Sequence, residues 1–485
     1  MKKSIRINYL YNVSYQILIL LTPILTTPYT SRVLGAEGIG LYSFTASVVS
    51  YFALFAALGT STYGQRQISY IHEDREERSR VFWNTVILRF MTVAVSMLIY
   101  FLFCMKQGGN QMYWILSINI LTVAFDISWF LQGMEEFGKT VLRNVIFKLA
   151  GIIFIFVFVK SQNDLLIYAA GLVGLELLSN ISLWFYLPRY IDKPDLRNLH
   201  PCVNLKTVIS LFVPTIAIQI YTVLDKTMIG IFSPGTAENG YYEQALKLSK
   251  MVLTLVTSLG TVMIPRIGYY FNHRENRNVE MYMYRGYNFV WFLGIPLTFG
   301  LIGISGNLVP WFLGAGYDKV IPLLCVLSFL VLAIGINNVT GMQYMIPTQR
   351  QNMFTLTVCI GAGVNFILNV FLIPVFYSIG AAIASVLAET VIALVQLYIV
   401  RKEFSVKRIF LLSKNYLIAG GLMFFVLQWE NIMLFPSFLN TAIMMVSGAC
   451  IYFAVLILLK DKFFKDNINR IAGSFYRKNK KGKNG

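Results

Sequence analysis

Apolar residues occur along this chain in runs of about 20, each long enough to cross the hydrocarbon core of a bilayer as a helix. Short polar turns separate the runs. Hydrophobic windows predict fourteen spans, at residues 8–31, 39–62, 81–104, 112–132, 141–160, 165–187, 207–232, 240–265, 282–305, 319–345, 352–374, 378–400, 414–429 and 437–459. The sequence therefore predicts an all-α, polytopic membrane protein with about 14 transmembrane helices.

The first span carries a polar stripe and is more than an anchor. Its polar and proline positions follow helical spacing and are Asn8, Asn12, Gln16, Pro23 and Thr27. Lipid offers no hydrogen-bond partners, so this stripe is expected to face protein or a water-filled cavity. Pro23 and Pro28 are expected to kink or break the helix, and a polar turn containing Gly35, Gly38 and Gly40 is expected to follow.

The distribution of Lys and Arg predicts the orientation. With the N-terminus inside, the inner segments hold 32 of the 41 basic residues and the outer loops hold 4. This asymmetry places both termini in the cytoplasm. Most of the basic residues behind the net charge of +18 then lie at the cytoplasmic membrane surface, where they suit anionic lipid headgroups. This placement argues against nucleic-acid binding.

A weak internal repeat predicts the domain organisation. Gln16, Gly40-Leu41-Tyr42 and Leu58-Gly59 recur as Gln219, Gly240-Tyr241-Tyr242 and Leu259-Gly260, at offsets of 203, 200 and 201 residues. An offset of six spans keeps the membrane orientation, so the repeat predicts two parallel six-helix lobes, although chance similarity of apolar hairpins remains the alternative. The predicted parts are an N-terminal lobe (1–190), a cytoplasmic linker (191–206), a C-terminal lobe (207–402), two extra helices (403–460) and a basic cytoplasmic tail (461–485).

Charged residues inside the spans are the candidate functional groups, because each is costly in lipid unless it is paired or hydrated. In the second half, Lys226, Lys247 and Lys250 lie on polar stripes with Gln219, which suits a hydrated cavity for a phosphate or diphosphate. Arg89 and Lys148 are the corresponding bases of the first half.

The alternative is internal pairing of these charges. Asp225 is a candidate partner for Lys247, and Asp126 for Arg89 or Lys148. Glu176 and Glu389 are candidate sites for a coupling H+ or Na+, and nothing in their spacing decides it. The cysteines show no metal spacing and no phosphate-binding loop is present, so the sequence predicts no metal, no cofactor and no ATP-driven step.

Several motifs also resemble a known family. The N-terminal run from Tyr11-Asn12 through Ser31-Arg32-Val33-Leu34-Gly35 to Gly40-Leu41-Tyr42 is similar to that of the polysaccharide-unit flippases. Further matching segments are Trp129-Phe130-Leu131-Gln132-Gly133-Met134-Glu135, Arg143-Asn144, Leu224-Asp225-Lys226, Pro265-Arg266, Asn365 with Asn369, and Gly380-Ala381-Ala382. These flippases move O-antigen and capsule repeat units and belong to the multidrug/oligosaccharidyl-lipid/polysaccharide exporter superfamily.

The resemblance implies a bacterial plasma-membrane flippase that is not an enzyme. It implies alternating access of two lobes around an undecaprenyl-diphosphate-linked oligosaccharide, with Lys226 and Lys247 in a cationic cavity. Arg32 matches the family motif, and its position at an outer turn leaves a structural role equally open. Polysaccharide polymerase machinery is a candidate partner. The alternative within the superfamily is a cation-coupled multidrug exporter, against which the excess of basic residues argues.

Overall fold

The structure is a computed structural model that describes residues 5–71, 73–106, 108, 110–194, 197, 199–258 and 260–466. Its regular elements within these ranges are all helical. The first ten are α1 (Ile5–Ala57), α2 (Thr60–Tyr70), α3 (Arg75–Lys106), α4 (Gln111–Leu116), α5 (Ile118–Phe125), α6 (Ser128–Gly133), α7 (Phe137–Phe158), α8 (Leu165–Ser182), α9 (Leu205–Phe232) and α10 (Ala237–Thr257). The next eight are α11 (Gly260–Asn272), α12 (Asn276–Leu313), α13 (Val320–Leu327), α14 (Leu330–Asn337), α15 (Gln351–Ile399), α16 (Val406–Leu411), α17 (Lys414–Met433) and α18 (Phe438–Leu458).

Ten helical stretches in the described part of the chain are long and apolar enough to cross a membrane. The prediction of an all-helical, multi-pass membrane protein is therefore confirmed, whereas the number fourteen stays a prediction. Two of the ten, Leu18–Tyr70 and Gln351–Ile399, each overlap two predicted spans. The predicted spans 207–232 and 240–265 correspond to α9 and α10, which are not among the ten.

Residues with positive φ divide the two longest helices. In α1 the break lies at Gly35 (φ 69°, ψ 173°), and in α15 it lies at Tyr377 (φ 51°, ψ −125°). Pro23 and Pro28 lie within helical turns of α1, so the break lies in the predicted turn and not at the prolines. Glycine tolerates this conformation because it has no Cβ.

The described residues form two compact units. One unit runs to Glu243 and also contains Asn369–Ser378, and the other contains Gln244–Leu368 and the chain from Ile379 onward. These limits differ from the predicted lobes, and α10 and α15 each contribute to both units. The lobe boundaries stay predictions. Residues 467–485 of the predicted tail lie outside the described residues.

Each unit has its own apolar core. In the first unit, α1, α3, α4, α5 and α8 bury side chains such as Val49, Tyr100 and Leu116. In the second unit, α12 packs against α17 and α18, and the buried side chains of this core include Tyr287, Met423 and Leu456. The polar end of one buried aromatic residue of this core bonds to a main-chain carbonyl: the Tyr452 hydroxyl donates to the Phe292 oxygen at 2.7 Å.

The two glycine motifs of the sequence repeat meet within the first unit. A Cβ added to Gly40 would overlap the Thr236 carbonyl oxygen, and a Cβ added to Gly240 would overlap the Ala36 carbonyl oxygen. Each glycine therefore contacts the residue four positions before its counterpart. Such reciprocity is what a local two-fold relation produces, and only glycine permits so close an approach of α1 to the start of α10.

Candidate functional site

The side chains of Lys226 and Glu243 form an ion pair in the first unit. Lys226 Nζ on α9 lies 2.6 Å from Glu243 Oε2 on α10, and the two side chains are 24% and 15% exposed. Ser43 Oγ on α1 donates to the same carboxylate oxygen at 3.0 Å. Three helices thus converge on one carboxylate, which compensates a lysine that would be costly among apolar helices.

Asp225, the neighbour of Lys226, is held by neutral donors. It is buried, and it accepts hydrogen bonds from the Tyr242 hydroxyl at 2.6 Å and from Asn369 Nδ2 at 2.7 Å. These donors come from α10 and α15. Whether Asp225 also compensates Lys247, as the sequence suggested, stays a prediction.

Hydroxyl groups extend the polar surface along α1. Thr227 shares hydrogen bonds with Ser47 Oγ at 2.9 Å and with the Tyr51 hydroxyl at 3.1 Å. One turn earlier, the Tyr42 ring lies edge-on to Tyr168, with ring centroids 5.3 Å apart. The sequence analysis missed this face of α1. The four-residue spacing of Ser43, Ser47 and Tyr51 is the signal that could have found it.

Lys247 and Lys250 follow Glu243 on α10, one and two turns along the helix. The Lys247 side chain is half-buried and the Lys250 side chain is exposed. The positions therefore agree with the predicted basic stripe, and the binding role of the two lysines stays a prediction. Gln219 is half-buried on α9. Asn12 and Gln16 lie in α1, and their side chains are outside the described part of the chain.

Arg89 lies at a break between two helices of the first unit. It is 1% exposed, and its guanidinium donates to Thr60 Oγ1 at 2.8 Å, to Ser61 Oγ at 2.5 Å and to the carbonyl oxygen of Asp126. Asp126 ends α5, and its Oδ1 accepts from the Ser128 amide at the start of α6 at 2.9 Å. Arg89 thus supplies positive charge at the carboxyl end of α5, which the helix dipole favours.

The Arg89 guanidinium is buried, and each of its three nitrogens donates to a protein oxygen, which is a structural arrangement. Its predicted role in substrate binding is untested. The sequence made Asp126 a candidate partner for Arg89 or Lys148, and the structure shows a hydrogen bond from Arg89 to the Asp126 main-chain carbonyl.

The remaining predicted charges of the first unit are Glu176, Lys148 and Arg32, and Glu176 interacts electrostatically with Tyr42, as Glu243 does. The charge of Glu176 is influenced by that of Asp126, which opposes it, and by those of Arg143 and Lys148, which favour it. Arg143 donates to Asn180 Oδ1 at 2.8 Å, which ties α7 to α8. Arg32 is exposed in the last turn before the Gly35 break. The roles predicted for these residues stay predictions.

Glu389 lies in the second unit, beside a segment of π-helix at Asn338–Met345. Asn337 Nδ2 donates both to the Glu389 carbonyl oxygen, at 3.2 Å, and to its carboxylate. The carboxylate is half-buried. Its predicted role in ion coupling is untested. No group of three His, Cys, Asp or Glu side chains that could hold a metal ion occurs in the ranges that the structure describes.

An apolar cavity of about 250 Å³ lies among α12, α17 and α18 in the second unit. Its walls include Leu293, Leu297, Met423, Leu427, Met444 and Phe453. Polar atoms contribute little to this surface, so the cavity suits a hydrocarbon chain.

Comparison with known proteins identifies the family. Residues 5–271 match the family described as polysaccharide biosynthesis protein. The chain belongs to this family. The chain is 23% identical over 418 residues to the "Putative O-antigen transporter" of Escherichia coli. The match covers 83% of this chain and 98% of that protein. The chain is 22% identical over 466 residues to the "Probable low-salt glycan biosynthesis flippase" of Haloferax volcanii, covering 91% and 94%.

Solved structures show how this member of the polysaccharide biosynthesis family folds. The lipid II flippase MurJ, in an inward closed conformation, matches with a TM-score of 0.76 at 17% identity and covers 94% of this chain and 99% of MurJ. A multidrug resistance MATE family transporter of the MOP superfamily, in an inward-facing conformation, matches with a TM-score of 0.63 at 14% identity and covers 81% and 96%. At these identities the likeness concerns the fold.

Proposed function

We propose that this protein is a flippase that carries undecaprenyl-diphosphate-linked oligosaccharide repeat units from the cytoplasmic to the outer leaflet by alternating access, for surface polysaccharide synthesis. The names of the O-antigen transporter and glycan flippase relatives support a glycan-lipid cargo. The MurJ-like fold supports a scaffold for moving a lipid-linked sugar. We assign no catalytic step to the chain.

The Lys226–Glu243 pair, with the hydroxyl surface around it, is the observation that carries this proposal. The pair is neutral while it is closed. A diphosphate bears more negative charge than a carboxylate and accepts more hydrogen bonds, so it competes with Glu243 for Lys226. Lys247 and Lys250 add positive charge farther along α10, and Ser43 remains a donor to the displaced carboxylate.

The other parts of the cargo fit other parts of the protein. Hydroxyls and aromatic rings such as Tyr42, Ser47 and Tyr51 suit sugars, which present hydroxyl groups and apolar faces. The apolar cavity of α12, α17 and α18 suits a segment of the polyprenyl chain. In the predicted orientation, the Gly40–Gly240 contact lies on the outer side, so outward release requires α1 and α10 to separate there.

The same proposal places the protein in the bacterial plasma membrane with both termini in the cytoplasm. The 32 to 4 distribution of basic residues between inner and outer segments supports this orientation. A counter-ion, H+ or Na+, is a candidate driving force through Glu176 or Glu389, and polymerase machinery is the candidate consumer of the exported unit. The alternative, a cation-coupled multidrug exporter, has the MATE-like fold in its favour.

A test combines Lys226→Ala with Lys247→Ala in a host that lacks the chromosomal copy. We expect surface polysaccharide to disappear and lipid-linked repeat units to accumulate, because the diphosphate loses its cationic partners. Immunoblots of the membrane fraction must show normal amounts of the variant. Normal polysaccharide output from the double variant would reject the cationic site, and drug resistance that depends on the protein would favour the exporter.

A further inference from the structure

A polar pocket of about 540 Å³ lies between α2 and α6 in the first unit, away from the Lys226–Glu243 pair. Two glycines bring these helices together. A Cβ on Gly64 would overlap the Trp129 ring, and a Cβ on Gly133 would lie 2.9 Å from the carbonyl oxygen of Gln65. Side chains on either side of this close contact form the pocket walls, and the volume is that of a small-ligand site.

The pocket is lined by groups that form hydrogen bonds. Helix α2 contributes Thr62, Gln65, Arg66 and Ser69, and the end of α6 contributes Gln132 and Glu135 beside Gly133. This set holds one guanidinium, one carboxylate, two amides and two hydroxyls. In the part of the chain that the structure describes, neither the Arg66 guanidinium nor the Glu135 carboxylate has a hydrogen bond or ion-pair partner, and both side chains are exposed to the pocket.

Glu135 has a backbone conformation that favours glycine. Its φ is 56°, in the left-handed region. Its amide donates to the Gln132 oxygen at 3.0 Å, and the Glu136 amide donates to the Leu131 oxygen at 2.8 Å, which is the pattern of a Schellman motif with Glu135 at C′. A residue with a Cβ is strained there. Glycine would fit this position with less strain, and the position instead carries a carboxylate that lines the pocket.

We propose that this pocket binds the glycosyl-diphosphate head of the lipid-linked substrate on the cytoplasmic side, before translocation. This inference rests on the proposed function. The predicted orientation puts the loops after α2 and α6 on the cytoplasmic side, where the substrate is made. Arg66 binds phosphate oxygens through its forked donors. Glu135 accepts from sugar hydroxyls, and Gln65 and Gln132 offer both donors and acceptors.

The experiment uses the full-length protein in a host that lacks the chromosomal copy, with surface polysaccharide and lipid-linked repeat units measured in parallel. We expect Arg66→Gln to lower polysaccharide output about tenfold, the effect of one lost charge-assisted contact. Glu135→Gly is expected to lower output by a similar factor while the purified protein unfolds at a higher temperature, because the strain is relieved. A purely structural residue would not combine lower output with higher stability.

Lys460→Gly is the matched control. Lys460 also has positive φ (51°) at the end of a helix, α18, with the same pair of closing hydrogen bonds. This change is expected to raise the unfolding temperature and leave polysaccharide output unchanged. If Glu135→Gly reaches the membrane in low amounts, Glu135→Gln serves in its place, and the same loss of output is expected.

The outcomes separate the two proposals. Normal output from Arg66→Gln and from both Glu135 variants, in a strain whose empty-vector control makes no surface polysaccharide, would overturn the pocket and leave the flippase intact. Normal polysaccharide in the empty-vector strain itself would overturn the flippase and the pocket with it.

Discussion

Lys226 and Arg89, two charged side chains within helices of this protein, are compensated by partners on other helices. Lys226 on α9 is paired with Glu243 on α10, and Arg89 on α3 donates to Thr60, Ser61 and the carbonyl oxygen of Asp126. Each arrangement replaces the hydration that a charge loses among apolar residues. The side chains of Lys226 and Glu243 are partly exposed, so a ligand can replace one partner of the pair, whereas Arg89 is buried.

The Lys226–Glu243 pair can be tested by a double-mutant cycle on thermal unfolding in detergent. Glu243→Ala leaves Lys226 without its carboxylate, and Lys226→Ala leaves Glu243 with only Ser43 among the contacts described above. We expect the double variant to be more stable than the sum of the single effects predicts, with a coupling of about 1–3 kcal/mol. Strictly additive single effects would show that the pair contributes nothing.

At the scale of helices, breaks and glycine contacts determine where elements bend and meet. The left-handed residues Gly35 and Tyr377 divide the two longest helices, and Asp126 separates α5 from α6. Discontinuous helices expose main-chain polar groups, which in membranes are tolerated beside polar partners. Arg89 is that partner at the Asp126 break.

Gly40→Ala tests the contact between α1 and α10. The added methyl group meets the Thr236 carbonyl oxygen, which belongs to rigid backbone, so the two helices must separate. We expect a loss of about 1–3 kcal/mol of stability from overpacking, measured as a lower unfolding temperature.

Gly174→Ala on α8 is the control for that change, because a Cβ there meets nothing within 4 Å. It should stabilise the helix by about 0.5–1 kcal/mol. Equal effects of the two substitutions would mean that helix propensity, and not the close contact, explains the Gly40 result.

At the scale of the whole molecule, the polar candidate sites and the apolar cavity belong to different units. The ion pair, the hydroxyl surface and the pocket of Arg66 and Glu135 are in the first unit, and the apolar cavity of α12, α17 and α18 is in the second. A lipid-linked oligosaccharide has the same division between a polar head and a hydrocarbon tail.

Ala449→Trp tests the apolar cavity. Ala449 lines the cavity on α18, so the indole fills it and excludes a hydrocarbon chain. We expect lower surface polysaccharide with an unchanged unfolding temperature, because the site is open and the new ring has room. Val446→Trp on the same helix is the control, since Val446 is 64% exposed and does not line the cavity. Equal amounts of surface polysaccharide from the two variants would show that transport does not depend on the cavity.

Much of the architecture follows from the sequence because bilayer thickness sets the length of apolar runs. The helical, multi-pass class and the family were predicted, as was a turn near Gly35. Which charged side chains pair with each other was not predictable in the same way. The sequence placed Lys226 and Glu243 on adjacent helices, but only packing shows that they pair.

The amino-acid sequence by itself determined that this protein crosses a membrane repeatedly, which family it belongs to and which helices carry charge. These properties depend on local hydrophobicity and local motifs. Only the tertiary structure decided which charges are neutralised, that Gly40 and Gly240 meet reciprocally, and that Glu135 holds a conformation suited to glycine. Such features arise when residues far apart in the chain pack together or when a helix end is closed by particular hydrogen bonds, and neither leaves a local pattern.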